Sequence, residues 1–248
     1  MVLVNIIIPV YNEADRLPKT LKAFSNYFEA HPTYSYHLKK NTHYILKVIF
    51  VLDGCTDQSE KIIKEFLKQE NISGSCLVLK KNQGKGFALR QGVLKSAEAD
   101  YYYLADADLS AKWDVLPHFL ELTKTNKYDA VIASRAAAGA KVQTKLVKKI
   151  AGRISARIIN LILGIKVNDT QCGYKLINRQ VKDKIFSNLT IDRWGFDFEL
   201  LYLMRKAGLT IKEQGITWQH IPESNVSPWS YWQTFWELMQ VRRGRRKK

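Results

Sequence analysis

Cysteine is scarce in this chain: Cys55, Cys76 and Cys172 stand far apart and form no C-x-x-C pair. Neither a disulfide framework nor a cysteine zinc site is indicated, and the usage fits a reducing compartment. The histidines (His31, His37, His43, His118 and His220) show no H-E-x-x-H or similar metal spacing. His31, His37 and His43 read as surface residues, whereas His220, past a strand, is kept as a candidate metal or phosphate contact. No run of 18 apolar residues occurs, and Met1–Asn5 leads into a strand-like segment without a basic n-region or cleavage site. The chain is therefore expected to be neither exported by a signal peptide nor membrane-spanning. Internal repeats and low-complexity tracts are also absent. With 46% hydrophobic residues over 248 positions a full core can be buried, and one large α/β domain is expected.

Acidic residues are few. The net charge is +16, a surplus that points to nucleic acid or to an anionic membrane surface. Its placement is uneven. From Ala130 to Asn168 there is no acid, against Arg135, Lys141, Lys145, Lys148, Lys149, Arg153, Arg157 and Lys166, and Arg242–Lys248 adds six further bases. Both segments carry apolar faces.

The first two-thirds alternates short β-branched runs with helical patterns, as a largely parallel sheet covered by helices does. Strands are expected at Val4–Val10, Lys47–Leu52, Cys76–Leu79, Tyr101–Leu104 and Ala130–Ser134, and helices at Asp15–Ala30, Asp57–Gln69, Gly86–Ala97 and Asp114–Thr125. His31–His43 reads as a surface insertion. Beyond Ser134 a long helix over Lys141–Ile165 is expected, then a loop at Asn168–Lys175, a helix near Phe196–Lys206 and a strand near Thr210–Trp218. In such folds ligands gather outside the carboxyl ends of the strands. There the sequence places Tyr11-Asn12-Glu13, Asp53-Gly54-Cys55-Thr56-Asp57, Asp106-Ala107-Asp108 and Arg135.

Asp106 and Asp108, two residues apart just past a buried strand, can hold one hard divalent cation together with substrate phosphates. An ordinary capping pair is the alternative, and Ser110 is either a further ligand or a cap. Asp53 ends its strand facing the cleft, where a carboxylate can accept from a nucleobase or ribose; Thr56 and Asp57 are explained as helix caps. Asn82-Gln83-Gly84-Lys85-Gly86 opens a helix, so its amides and Lys85 can neutralise part of a diphosphate, or it is a plain turn. The nucleoside-triphosphatase spacing G-x-x-x-x-G-K-[ST] is absent.

Within Lys141–Ile165, Leu146, Ile150, Ile154, Ile158 and Leu161 share one helical face, and Lys145, Lys148, Lys149 and Arg153 lie opposite. Packing of the apolar face on the sheet competes with a basic ramp toward a phosphate-bearing lipid surface. Trp229, Trp232, Trp236 and Met239 recur at helical intervals, with Tyr231 and Phe235 beside them, before the terminal bases. That pattern favours an interfacial membrane anchor over core packing. A basic module binding nucleic acid would interleave its aromatics with the charges, whereas here they cluster at one end, so nucleic acid is not an expected partner.

Taken together, IIIPVYNEADRLPKTL, VLDGCTD, KNQGKGFALRQG, YYYLADADLS, ASR, DTQCGYKLI, RWGFDFELLY and ITWQHIPESNVSP resemble glycosyltransferase family 2 over nearly the whole chain. Within that family they resemble the dolichyl-phosphate glucosyltransferases and their bacterial or archaeal relatives, with the dolichyl-phosphate mannose synthases as cousins. The resemblance implies a GT-A fold, Rossmann-like, with C-terminal amphipathic helices: residues 1–228 form the transferase domain and 229–248 a membrane-associating segment. It implies that Pro9, Tyr11, Glu13 and Asp53 hold the nucleotide, with Lys85 and Arg90 near it. Asp106 and Asp108 would bind Mg²⁺ or Mn²⁺ and Arg135, Lys148 and Arg153 the lipid phosphate. Gln171, Cys172 and Trp194–Glu199, including Asp197, would shape the donor-sugar and acceptor side. The expected reaction is inverting transfer of a sugar, glucose from UDP-glucose, onto dolichyl or polyprenyl phosphate at the cytoplasmic face of a membrane. The sequence shows no N-terminal membrane helix of the kind eukaryotic members carry, so peripheral attachment is expected through the two basic amphipathic segments. The alternatives are a polyprenyl-phosphate mannosyltransferase using GDP-mannose, and a transferase with a sugar-hydroxyl acceptor, which would require a base, with Asp197 or Glu199 as candidates.

Overall fold

The computed structural model describes residues 1–29, 44–69, 73–108, 110–111, 113–144, 146–219 and 228–244. The insertion expected at His31–His43, His220 and the last four basic residues lie outside these. The elements run β1 (Val2–Val10), α1 (Leu17–Glu29), β2 (Tyr44–Asp53), α2 (Ser59–Gln69), β3 (Gly74–Leu79), α3 (Lys85–Lys95), β4 (Tyr101–Leu104), α4 (Val115–Asn126) and β5 (Ala130–Ser134). They continue as β6 (Lys141–Gln143), α5 (Leu146–Leu163), β7 (Lys175–Asn178), α6 (Arg179–Ile185), α7 (Phe196–Lys206), β8 (Ile211–Gly215), β9 (Thr217–Gln219) and α8 (Pro228–Arg242).

β1 is buried over most of its length, which is why it reads as a continuous apolar run rather than an alternating one. It pairs in parallel with β2 on one side and β4 on the other. The whole sheet has the order β3-β2-β1-β4-β7-β5-β8, so the strand order reverses about β1 and β4 and opens a crevice at their carboxyl ends. One face buries Phe24, Phe50, Tyr103, Phe119 and Trp113 under α1, α2 and α4. The other buries Ile7, Val51, Leu104, Phe186 and Phe196 under α3, α6 and α7.

Three expectations are corrected. The loop expected at Asn168–Lys175, with no strand expected after it before the helix near Phe196, ends in β7, which starts at Lys175 and runs antiparallel to both β4 and β5. The chain enters this strand from the loop at the carboxyl rim, so it runs back down the sheet, and Lys175 lands opposite Leu104 and Ile132. The helix expected from Lys141 starts at Leu146, because residues 141–143 pair with β9 in a separate small sheet. The strand near Thr210–Trp218 divides for the same reason into β8, in the main sheet, and β9.

α5 turns Ala156, Ile159 and Leu163 inward. Ile159 and Leu163 join Phe198 and Leu201 of α7 and Leu238 and Val241 of α8 in a third cluster. The apolar stripe read from the sequence is on the outside instead: Leu146 is 70% exposed, Val147 77% and Leu161 87%, with Ile150, Ile154 and Ile158 also open. On α8, Trp232, Phe235 and Trp236 are exposed, with Trp232 and Phe235 stacked at 5.9 Å between ring centroids. Among the described residues no helix is long and apolar enough to cross a membrane.

Candidate active site

The first two loops of the rim are tied together. Asn12 adopts a left-handed backbone (φ 51°), a conformation its short polar side chain tolerates. Its Nδ2 donates to Thr56 Oγ1 at 3.1 Å, while its Oδ1 accepts from the Thr56 N–H at 2.8 Å. Ser59 Oγ accepts from the Glu13 N–H at 2.8 Å, and Asp57 from that of Ala14 at 2.9 Å. Thr56 and Asp57 therefore brace a neighbouring loop as well as opening α2, a cross-loop role that sequence spacing does not reveal. Tyr11 stands exposed beside this brace, and Pro9, half-buried, faces Val51 across the sheet. Glu13 is held by Arg16 at 2.5 Å; burial pushes its carboxyl upward and Arg16 opposes the shift.

Asp53 is 2% exposed and accepts from the Gln83 N–H at 3.0 Å and the Gly84 N–H at 2.8 Å. Burial raises its pKa more than these two amides lower it. Asp53 thus shapes the loop that opens α3, and the amides of Gln83 and Gly84 turn inward to it rather than toward a diphosphate. Gly84 is required here: its φ is 111°, and a Cβ would lie 2.6 Å from the Asp192 carbonyl oxygen.

The loop delivers Lys85 to Asp106, with which it forms an ion pair. Burial would lower the lysine pKa, but Asp106 and then Asp197 outweigh it and hold the ammonium above its usual range. Gly173 backs the same carboxylate so closely that a Cβ would fall 2.4 Å from Asp106 Oδ2. Asp108 accepts from the Ser110 N–H at 3.0 Å, and the buried Tyr174 hydroxyl donates to the Asp108 carbonyl at 3.2 Å. Both acids are partly open at the rim. Two such carboxylates suit Mg²⁺ or Mn²⁺, which take a couple of carboxylates and complete their shell with water and phosphate oxygens. No cluster of three or more acidic, histidine or cysteine ligands occurs among the described residues.

Arg135, just past the end of β5, makes a forked bond to Asp169, Nε to Oδ2 at 2.7 Å and Nη2 to Oδ1 at 2.9 Å. Its guanidinium lies over the Trp218 ring, 5.4 Å from the centroid. Burial works against the Asp169 carboxylate, but the Arg135 bonds prevail and lower its pKa. Glu213 holds Asp169 in turn, accepting from its N–H at 2.8 Å. Trp218 bridges to Ala111, so β9 links Arg135 to the segment after the acid pair. Asp169, Glu213 and Trp218 had no assigned role in the sequence, although two of them stand in motifs carrying the resemblance. Lys148 and Arg153 lie on the exposed face of α5.

The remaining expected residues lie in the loop before β7, on α3 and around the start of α7. Lys175, buried at the start of β7, pairs with Asp197 and donates to the Cys172 carbonyl. Burial pushes the Cys172 thiol up to about 12. The Gln171 N–H donates to Asp169 at 3.2 Å, and Trp194 is half-buried. Glu199 accepts from Thr190 Oγ1 at 2.6 Å and the Ile191 N–H at 2.8 Å. Arg90 donates to the Leu189 carbonyl at 2.5 Å and to Asp192 at 3.1 Å, so its guanidinium fastens residues 189–192 to α3.

Residues 5–186 match the family described as Glycosyl transferase family 2. A dolichyl-phosphate beta-glucosyltransferase of Dictyostelium discoideum is 31% identical over 241 residues, covering 91% of this chain and 69% of that protein. Its Mus musculus counterpart is 31% identical over 250 residues, covering 96% and 74%. Among solved structures, glucosyl-3-phosphoglycerate synthase from Mycobacterium tuberculosis, in complex with Mn²⁺, UDP and glucosyl-3-phosphoglycerate, superposes with a TM-score of 0.67 at 14% identity, over 97% of this chain and 80% of that one. That likeness shows the fold, which is of the GT-A kind.

Proposed function

Because the chain belongs to glycosyl transferase family 2 and is a glycosyltransferase, we propose that it moves glucose from UDP-glucose onto dolichyl or another polyprenyl phosphate, giving a β-linked lipid phosphosugar. The observation that carries this reading is the state of the buried carboxylates around the cleft. A sugar-hydroxyl acceptor needs a general base. Asp197 is tied to Lys175, Glu199 to Thr190 and Ile191, Asp53 to two backbone amides and Asp169 to Arg135. A phosphate monoester, with its second pKa at about 6, is already a dianion at neutral pH and needs no base. What it needs is cationic positioning. Arg135 supplies it, its plane fixed by Asp169 and Trp218, with Nη1 not engaged by Asp169.

On the donor side Asp53 shapes the nucleotide end, with Pro9, Tyr11 and Glu13 beside it, and Lys85 lies by the diphosphate. Asp106 and Asp108 would hold Mg²⁺ or Mn²⁺, which when bound neutralises charge gathering on the departing nucleoside diphosphate. In-line attack from the opposite side inverts the anomeric carbon. Trp194, Gln171 and Asp197 border the sugar.

The exposed stripe of α5 and the aromatics of α8 support a lipid-bearing acceptor, since apolar faces of this kind with bases beside them seat helices in a membrane interface. Lys148 and Arg153 would draw the lipid phosphate in. We accordingly assign 1–228 to the transferase and 229–248 to its attachment, at the cytoplasmic face. Incubation with a panel of nucleotide-sugars and a short polyprenyl phosphate, with mass spectrometry of the lipid, tests the assignment. A hexose-phosphate lipid formed from UDP-glucose supports it; consumption of no UDP-sugar overturns the donor.

A further inference from the structure

The segment opposite Lys85 is pinned from three directions. Glu199 accepts from its start at Ile191 at 2.8 Å, and Arg90 holds Asp192 at 3.1 Å. Its end is held from outside the transferase helices: Glu237 of α8 accepts from the Gly195 N–H at 2.6 Å. Glu237 is buried beside Leu238, which packs with Ile159 and Leu163 of α5 and Phe198 and Leu201 of α7. Gly195 is the N-cap of α7, so this amide is one that the helix itself leaves without a partner. The fit is tight: a Cβ on Gly195 would fall 2.9 Å from the Glu237 side chain.

What this segment touches is the loop bearing Lys85. The Phe87 N–H donates to the Asp192 carbonyl at 2.8 Å. A Cβ on Gly86 would meet the Phe196 Cβ at 2.6 Å and the Ile191 carbonyl at 2.9 Å. Contacts therefore run from Glu237 to Gly195, along the chain to Asp192, from the Asp192 carbonyl to the Lys85 loop, and from Lys85 to Asp106.

We infer that Glu237 is a positioning residue for the donor: through Gly195 it holds Trp194 and residues 191–195 against the Lys85 loop, so the diphosphate site is complete only with α8 seated. The inference rests on the reading of that loop as the donor-diphosphate site. The same helix exposes Trp232, Phe235 and Trp236 on its other face, so seating of α8 and donor affinity are linked.

Titration calorimetry of UDP with Mn²⁺ on the full chain tests this, with melting temperatures taken alongside. Glu237→Ala should weaken UDP binding about fivefold or more, the lower end of ordinary coupling between sites. Glu237→Gln, whose amide oxygen accepts the same N–H, should stay within about twofold of wild type. A purely structural role would lower the melting temperature of the alanine variant and leave the affinity of the folded protein alone. An alanine variant with wild-type affinity, or a glutamine variant as weak as alanine, overturns the inference. Should the alanine variant not fold, hydrogen exchange on wild type decides: protection of Gly195 and α8 rising together on UDP binding supports it, and α8 unchanged at saturation overturns it. Wild type that fails to bind UDP removes the donor-site reading itself; wild type that binds, with unaffected variants, removes only the role of Glu237.

Discussion

Lys175 at the start of β7 and Asp197 in the first turn of α7 form an ion pair shut off from solvent, their side chains 1% and 7% exposed. Each charge is tolerated only because of the other. Removing one partner from such a pair costs about 3–5 kcal/mol, because an uncompensated charge stays buried. Asp197→Ala should therefore lower unfolding free energy by that order in urea titrations, and a Lys175→Met, Asp197→Leu double variant should recover most of it. A single variant as stable as wild type would show the pair to be solvated.

With Asp197 tied to Lys175, Glu199 to Thr190 and Ile191, Asp53 to two amides and Asp169 to Arg135, none of these four carboxylates is placed to take a proton from an acceptor. The acid limb of kcat/KM should then follow the acceptor's own second ionisation, at about 6. Replacing the phosphate of the lipid by a phosphonate, whose second ionisation is weaker, should carry the limb upward by the same amount. A limb that does not move belongs to a group on the protein.

Asp106→Ala and Asp108→Ala should each reduce transfer by about 10²–10³-fold or more, the scale on which removal of one transition-state contact acts. Both side chains are partly open at the rim, so melting temperatures should stay within a few degrees of wild type. Unchanged turnover of nucleotide-sugar by either purified variant would refute the metal assignment.

Much of this was legible in the sequence because parallel strands buried on both faces read as apolar runs, and polar residues at their carboxyl ends face the crevice. β7 was not legible. It is four residues long and begins with Lys175, whose burial makes sense only once Asp197 is known to reach it. Asp169 was hidden in the same way, since its partner Arg135 lies 34 residues away and meets it only in the folded chain. For α5 the helical period was correct but could not say which side is covered: Ala156, Ile159 and Leu163 are, and the more continuous stripe is not.

Arg135→Ala should weaken use of lipid phosphate far more than UDP binding. Arg135→Lys should not restore it, because an ammonium cannot make the forked bond to Asp169 or lie flat over Trp218. Paired titrations of acceptor and UDP check this; equal loss of both would remove Arg135 from the acceptor side.

Glu237 makes stability depend on pH. Burial lifts its carboxyl from the ordinary glutamate range to about 7, against the Gly195 amide and Arg193, with Asp192 and Glu199 adding to the rise. A carboxyl raised on folding favours the protonated native state. Its contribution is present in full below the unfolded-state value and is lost as pH climbs through about 7. Glu237→Gln should accordingly match wild type in melting temperature near pH 4 and exceed it near pH 8, at about those values. A difference that does not vary with pH would show the carboxyl to be ordinary.

By this mechanism the acceptor is a phosphate carried by a lipid. The deciding measurement offers the enzyme UDP-glucose and Mn²⁺ with equal amounts of a polyprenyl phosphate and the polyprenol of the same length, and determines the mass of both lipids afterwards. Glucose should appear on the phosphate alone. Glucosylated polyprenol, or transfer only to an added sugar hydroxyl, would rule out a phosphate acceptor.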